Sequence, residues 1–290
     1  MLAGFLEVIV FHPFDTVSKR LMSHESRVVQ GGLTETLGRV RGVITKGQQD
    51  TGVAGTIRHL YRGTQYAMYY KVSQRLIKFA GQPVVKDYFH ANHIDSFRRV
   101  FGDKKGKQMM EATAGSLVGV SEVCILPFDR MKVLSQTNKE AIGQRGMFSV
   151  MRQEGIRKMY AGAGTTAVRN APGSFLLFGG TAFTKDFVFG LEDYRKATFF
   201  QNLVSSSVGA CLGVFFTSPM DVIKTRIQNK NFTQASSSGI SIFVQVVKTE
   251  GFSAFFKGIT PKVIATSPKL VFTYTLTEYF AGMFTRAFGH

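Results

Sequence analysis

The chain has 290 residues, with 36 Lys and Arg against 19 Asp and Glu, for a formal charge of +17. Its 27 Phe and 9 Tyr exclude a disordered chain, and its two cysteines, Cys124 and Cys211, exclude a disulfide scaffold and argue against a structural zinc site. The charge leaves three classes of partner: nucleic acid, an anionic membrane, or a small anionic ligand.

In chain order, residues 1–10 are mostly apolar but lack a basic leader and a small-residue cleavage site, so they do not read as a secretory signal. This stretch ends at Pro13-Phe14-Asp15 and runs into Thr16-Val17-Ser18-Lys19-Arg20. Tyr61-Arg62-Gly63 then opens a second long segment that carries Lys71, Gln74 and Arg75. After an insertion over residues 87–108 comes another weakly apolar stretch, uncharged over 112–121, which ends at Pro127-Phe128-Asp129 and continues Arg130-Met131-Lys132. Glu154-Gly155 and Tyr160-Ala161-Gly162 lead to an uncharged run over 170–184. Residues 199–220 carry no formal charge, and a bilayer core needs about 20 mostly apolar residues in helical form. That run ends at Pro219-Met220-Asp221, followed by Val222-Ile223-Lys224-Thr225-Arg226. Glu250-Gly251 and Phe256-Lys257-Gly258 precede the last segment, uncharged over 270–277. These segments are rich in Ser, Thr, Asn, Gln and Gly, as suits helices around a polar cavity.

The order is a threefold repeat. The three aromatic-x-Gly glycines are 99 and 96 residues apart. The repeats span 1–92, 93–195 and 196–290, each a long helix, a loop and a second long helix. The fold expected is an all-α membrane protein with six long helices and both termini on one side. Proline lacks an amide donor and kinks each odd-numbered helix, drawing three helix ends together. Short amphipathic segments, clearest over 238–248 and 148–153, join each helix pair along the membrane surface.

Three copies of Pro-x-Asp-x-x-basic, or near it, each followed by aromatic-x-Gly, resemble the mitochondrial carrier family over nearly the whole chain. The resemblance implies six transmembrane helices in three pseudo-symmetric repeats with short matrix helices. It implies a multi-pass protein of the inner mitochondrial membrane, an antiporter working by alternating access, with bound cardiolipin and no other cofactor. No enzyme is implied: the motifs hold no set of nucleophile, base and orienting group, and no metal cluster. A matrix-side gate would pair Asp15 with Lys132 and Asp129 with Lys224. Asp221 would meet Ser18 through a hydrogen bond, because Lys19 lies one residue late, about 100° round the helix. Gln136 and Gln228 would brace the pairs from below, where the first repeat has Met22. Spacing from the glycines puts the opposite, cytosolic gate at Pro83 to Lys86, Ala182 to Lys185, and Glu278 to Ala281. Lys86, Lys185 and Glu278 make it a weak gate, with Lys86 and Glu278 as its one pair.

Lys71 and Arg75 are four apart on one helix face, with no acid within a turn of either. Arg169, seven residues after Gly162, and Lys269, eleven after Gly258, lie at similar depth. Four cations converging without acids call for a polyanion. Arg169 would grip phosphate bidentately or read guanine O6 and N7, with Asn170 and Gln74 beside it offering a donor and an acceptor to a base edge. Tyr66, Tyr69 and Tyr70 are candidates for stacking. Pro172 and Pro268 are expected to interrupt the fourth and sixth helices, and Gly179-Gly180 and residues 115–119 to allow close helix approach.

Within the family, four stretches are similar to the carriers of GTP and GDP. They begin His12-Pro13-Phe14-Asp15-Thr16, Tyr70-Lys71-Val72-Ser73-Gln74-Arg75, Arg169-Asn170-Ala171-Pro172 and Pro268-Lys269-Leu270-Val271-Phe272. The insertion over 87–108 fits the same subgroup. Arg169-Asn170 argues against adenine nucleotides, but Arg with a polar neighbour also occurs in carboxylate carriers, so a tricarboxylate or oxoacid carrier stays open. Only 12 residues precede Pro13, about 18 Å of helix, some two turns short of the family pattern. That leaves open residues before Met1, or a carrier-like protein recruited as a structural subunit of a respiratory-chain complex. Nucleic acid is disfavoured, because the basic residues are scattered without a reading motif.

Overall fold

The computed structural model describes residues 2–26, 33–45, 53–191, 197–232 and 238–288. The first repeat holds α1 (Leu2–Ser23), α2 (Leu33–Thr45), α3 (Val53–Leu60) and α4 (Thr64–Asn92). The second holds α5 (Ile94–Phe101), α6 (Asp103–Ser121), α7 (Leu126–Thr137), α8 (Lys139–Ile142), α9 (Met147–Glu154), α10 (Ile156–Met159) and α11 (Ala163–Phe183). The third holds α12 (Phe199–Asn229), α13 (Gly239–Glu250) and α14 (Ile259–Phe288). The described residues contain no strand. α6 and α7 form one rod broken by a 3₁₀ turn at Glu122–Ile125, so the long helices number six. They close a ring in the order α1, α4, α6–α7, α11, α12, α14, with α14 packing back on α1. Numbered one to six in that order, the odd-numbered rods α1, α6–α7 and α12 also touch one another, through α7 in the case of the second of these.

The three motif prolines sit in different hosts. Pro13 and Pro219 lie inside continuous α1 and α12, whereas Pro127 falls in the first turn of α7, where a missing amide donor costs nothing. The expected interruptions at Pro172 and Pro268 do not occur. α11 and α14 remain helical through them, as α4 does through Pro83. A proline removes one backbone hydrogen bond and bends a helix without having to end it.

Burial on α12 runs opposite to that of a water-soluble helix. Ser205, Gly209, Gly213, Thr217, Ser218 and Asp221 face the ring, while Phe200, Phe215 and Phe216 are exposed. Small and hydroxylated residues at helix contacts with aromatics outside are what a lipid surround selects. The rods Met109–Thr137 and Phe199–Asn229 are long and apolar enough by composition to cross a bilayer. Gly180 of α11 meets Gly209 of α12 so closely that a Cβ on Gly209 would lie 2.4 Å from the Leu177 carbonyl oxygen.

The short helices are amphipathic. α13 buries Ile242 and Val246 against Met22, Val222, Ile223 and Phe255, and exposes Ile240, Phe243, Val244 and Val247. Its N-cap Ser238 accepts from the Ile240 amide. Its C-terminal Glu250 pins the third repeat. The buried carboxylate accepts from both terminal nitrogens of Arg226 and from Lys257, and Arg226 also donates to the carbonyls of Met22 and His24.

Burial alone would raise the Glu250 carboxyl, but hydrogen bonds from Arg226 and Lys257 outweigh it and hold it below its ordinary value of 4.5. The stabilisation is therefore present above 4.5 and lost as pH falls through the lowered value. Glu250→Gln is expected to cost about 3 kcal/mol, because it leaves buried cations short of their partner. Thermal melts in detergent should show the largest gap between wild type and variant near neutrality, and the gap should close on acidification below 4.5.

Candidate functional site

Ionised side chains gather in two tiers inside the ring. The lower tier lies where the odd-numbered rods meet. Asp15 of α1 pairs with Lys132 of α7 at 3.4 Å, and Asp129 of α7 with Lys224 of α12 at 2.7 Å. The second is the stronger. Asp129 and Lys224 are only 7% and 8% exposed, so removing one partner strands a buried charge, at a cost of about 3–5 kcal/mol. Asp15 is 38% exposed, and a pair so open to water contributes about 0–1 kcal/mol. Gln228 donates to Asp129 at 3.0 Å and so braces that pair. Gln136 does not do the same for Asp15: it donates to Thr16 at 3.0 Å.

The third contact differs from the one expected. Ser18 donates to the Gly258 carbonyl at 2.7 Å rather than to Asp221. Gly258 adopts φ +76, and the turn this allows lays its carbonyl against Ser18. Lys19 donates to Thr225 at 2.9 Å. Asp221 takes its cations from even-numbered helices, Arg169 of α11 at 3.0 Å and Lys262 of α14 at 2.8 Å. Lys262 had a readable signal. It lies four residues after its repeat's glycine, where the other repeats have Ala67 and Thr166, so it breaks the threefold pattern.

The upper tier overturns the expectation of cations without acids. Glu7 of α1, 4% exposed, sits between Lys71 at 2.9 Å, Arg75 at 2.9 Å and Lys269 at 3.4 Å. A second carboxylate, Glu122, is equally buried. It accepts from Gln74 at 2.8 Å and Asn170 at 3.3 Å, and pairs with Lys78 at 2.9 Å. The Tyr70 hydroxyl reaches it at 3.4 Å. Asn170 accepts from Arg169 at 3.0 Å and also donates to the Gly119 carbonyl. Of the three tyrosines considered for stacking, Tyr70 alone joins this cluster. Tyr66 is buried beside Met131 and Leu134, and Tyr69 is mostly exposed against Phe128.

At the opposite end, Lys86 pairs with Glu111 of α6 at 2.8 Å. Lys185 falls in a π turn, Thr184–Val188, that extends α11, and the Glu278 side chain lies outside the described residues.

Three basic residues thus gather around one carboxylate, and beneath them ion pairs tie the odd-numbered rods together. The family model described as "Mitochondrial carrier protein" matches residues 1–93, 105–191 and 195–288. The chain belongs to the mitochondrial carrier family. This carrier is 46% identical over 276 residues to mitochondrial GTP/GDP carrier protein 1 of Saccharomyces cerevisiae, covering 95% of this chain and 90% of that protein. It is 45% identical to an uncharacterized mitochondrial carrier of Schizosaccharomyces pombe, covering 95% and 89%. Against mitochondrial citrate transporter C of Aspergillus niger the identity is 26%, covering 97% and 87%.

The lower tier separates the two expectations for Asp221. Lys262→Ala should destabilise the carrier in detergent by several degrees and reproduce most of the effect of Asp221→Ala, with the double substitution adding little. Ser18→Ala should add its smaller cost independently of Asp221, about 1 kcal/mol for one hydrogen bond. Equal coupling of Ser18 and Lys262 to Asp221 would contradict this arrangement.

Proposed function

We propose that this carrier exchanges guanine nucleotides, GTP against GDP, across the inner mitochondrial membrane by alternating access. The observation that carries the reading is the cluster of Lys71, Arg75 and Lys269 around Glu7. These three side chains, from two helices, already surround one anionic group, and phosphate oxygens suit the same donors. In the empty carrier Glu7 keeps the cations from being stranded in a poorly polar surround, and an arriving phosphate takes its place. Arg169, Asn170 and Gln74 stand beside this cluster for the base. The 46% identity to a carrier whose name specifies GTP and GDP supports the same substrate.

The lower tier supports alternating access. Asp15–Lys132 and Asp129–Lys224 join α1, α7 and α12, and their breakage frees those rods to part at the matrix side. At the other end the Lys86–Glu111 pair is well exposed and contributes about 0–1 kcal/mol, so breaking it costs little. Cardiolipin bound where the membrane-surface helices meet α4, α11 and α14 belongs to the same proposal, as does placement as a multi-pass protein of the inner membrane.

Purified carrier reconstituted into liposomes loaded with GDP should take up labelled GTP, and external GDP should compete while citrate does not. Competition by citrate alone would favour a carboxylate carrier, and absence of exchange would overturn the transport reading. Arg75→Ala, Lys269→Ala and Arg169→Ala should each lower exchange about tenfold or more, the loss of one charge-assisted contact to phosphate or base. Glu7→Gln should act in the opposite sense on binding: with the internal competitor neutralised, the KM for GTP falls, while the melting temperature of the empty carrier drops.

A further inference from the structure

We propose that Glu122 and Arg169 together read the lactam edge of guanine, with Glu122 accepting the ring N1–H and the exocyclic N2–H₂ and Arg169 donating to O6. The inference rests on the guanine-nucleotide reading above and names the residue that would set its base specificity.

The argument starts from the position of Glu122. It opens the 3₁₀ turn between α6 and α7, is 4% exposed, and touches α4 through Tyr70, Gln74 and Lys78 and α11 through Asn170. One turn of α4 therefore serves both clusters. Lys71 and Arg75 face Glu7, while Tyr70 and Gln74, each one residue earlier, face Glu122. Side chains four apart share a helix face, so these pairs form two adjacent rows. A ligand with an anionic end and a hydrogen-bonding end fits across them, phosphates on one row and base on the other.

Among the described residues, Glu7 pairs directly with three cations and Asp221 with two, whereas Glu122 pairs directly with Lys78 alone. The other groups on Glu122 are neutral donors: an amide of Gln74, an amide of Asn170 and the Tyr70 hydroxyl. A buried carboxylate surrounded mainly by neutral N–H and O–H groups is a site for hydrogen-bond donors. Lys78 is 47% exposed, so water receives it at small cost when another donor takes its place.

The Asn170 side chain shows which donors fit. Its amide nitrogen donates to Glu122 at 3.3 Å, and its amide oxygen accepts from Arg169 at 3.0 Å. The carboxamide thus spans a carboxylate and a guanidinium, with its N–H toward the acid and its C=O toward the base. The lactam of guanine, N1–H beside C6=O6, has the same groups in the same order, and its N2–H₂ adds a second donor on the acid side. Adenine presents the reverse, a bare N1 and a donor N6–H₂, which sets an acceptor against Glu122 and a donor against Arg169. Asp221 holds Arg169 through Nε at 3.0 Å, while the contact to Asn170 uses a terminal nitrogen, so the reading group is already oriented.

The experiment uses the full-length carrier in GDP-loaded liposomes, with inhibition constants for GTP, ITP, XTP and ATP against labelled GTP, for wild type, Glu122→Gln and Glu122→Asp. ITP keeps the lactam and lacks the N2 amino group, and XTP replaces that amino group by a carbonyl. Wild type should prefer GTP over ITP by about tenfold, and disfavour XTP and ATP further, in line with the discrimination a bidentate base contact provides. Glu122→Gln should narrow the GTP-to-XTP ratio by about tenfold or more, because a carboxamide donates to the xanthine carbonyl and still accepts from N1–H. Glu122→Asp should keep the order of preference with weaker binding. An unchanged GTP-to-XTP ratio in Glu122→Gln overturns the proposal while wild-type GTP exchange leaves the function standing. Failure of wild type to exchange GTP overturns both. Should Glu122→Gln fail to fold, the wild-type ranking decides, and XTP binding as well as GTP overturns the assignment.

Discussion

An ionised group enclosed by helices and lipid must find a counter-charge, and most of the interior of this carrier follows from that requirement. Three acids illustrate it: Glu7, Glu122 and Asp221 all stand on odd-numbered rods, and much of their compensation comes from even-numbered helices. Lys71, Arg75 and Lys78 come from α4, Arg169 from α11, and Lys262 and Lys269 from α14. The links thus run between neighbours in the ring, whereas the pairs Asp15–Lys132 and Asp129–Lys224 run between the odd rods themselves. The two tiers are connected through one residue, because Arg169 contacts both Asp221 below and Asn170 above.

The +17 charge is consistent with this division. Part of it is neutralised in the interior, and part is exposed on the short helices, as at Arg98 of α5 and Lys158 of α10. The Glu250–Arg226–Lys257 knot shows the same rule outside the pore, where an acid at the end of α13 holds the last turn of α12 and the loop before α14. The polar character of the long helices follows as well. A helix facing lipid on one side and an ionic interior on the other has no need of apolar residues all round.

Much of this was legible in the sequence. The prolines, the aromatic-x-Gly steps and their spacing report backbone events, and those recur at fixed positions whatever the side chains do. They located the six long helices and the pairs Asp15–Lys132 and Asp129–Lys224. The cations of the upper tier were legible too, because Lys71, Arg75 and Lys269 stand out in weakly polar segments; Arg169 stands out equally, but it pairs with Asp221 in the lower tier instead of joining them. Their partners were not. Spacing reveals neighbours on one helix, and Glu7 and Glu122 reach their partners across helix boundaries, from 64 and 44 residues away for Lys71 and Lys78. Glu7 lies in an apolar stretch where a single acid drew no notice. Ser18 failed for a different reason. The expected pairing followed the repeat pattern, whereas the actual acceptor is a backbone carbonyl presented by Gly258, and backbone acceptors leave no mark on composition. Pro172 and Pro268 do not interrupt their helices, since a helix held by neighbours on both sides tolerates one missing bond.

The contact of Gly180 with Gly209 joins α11 of the second repeat to α12 of the third at backbone distance. A side chain on either glycine would force the two helices apart at that crossing. The α11–α12 contact is also the most extensive between any two helices described, exceeding those of α6 with α11 and α12 with α14 inside their own repeats. The sequence repeats as an odd helix followed by an even one, whereas the most extensive helix contact described joins the fourth rod to the fifth, so the seams of the repeat and the tightest seam of the packing are offset by one helix.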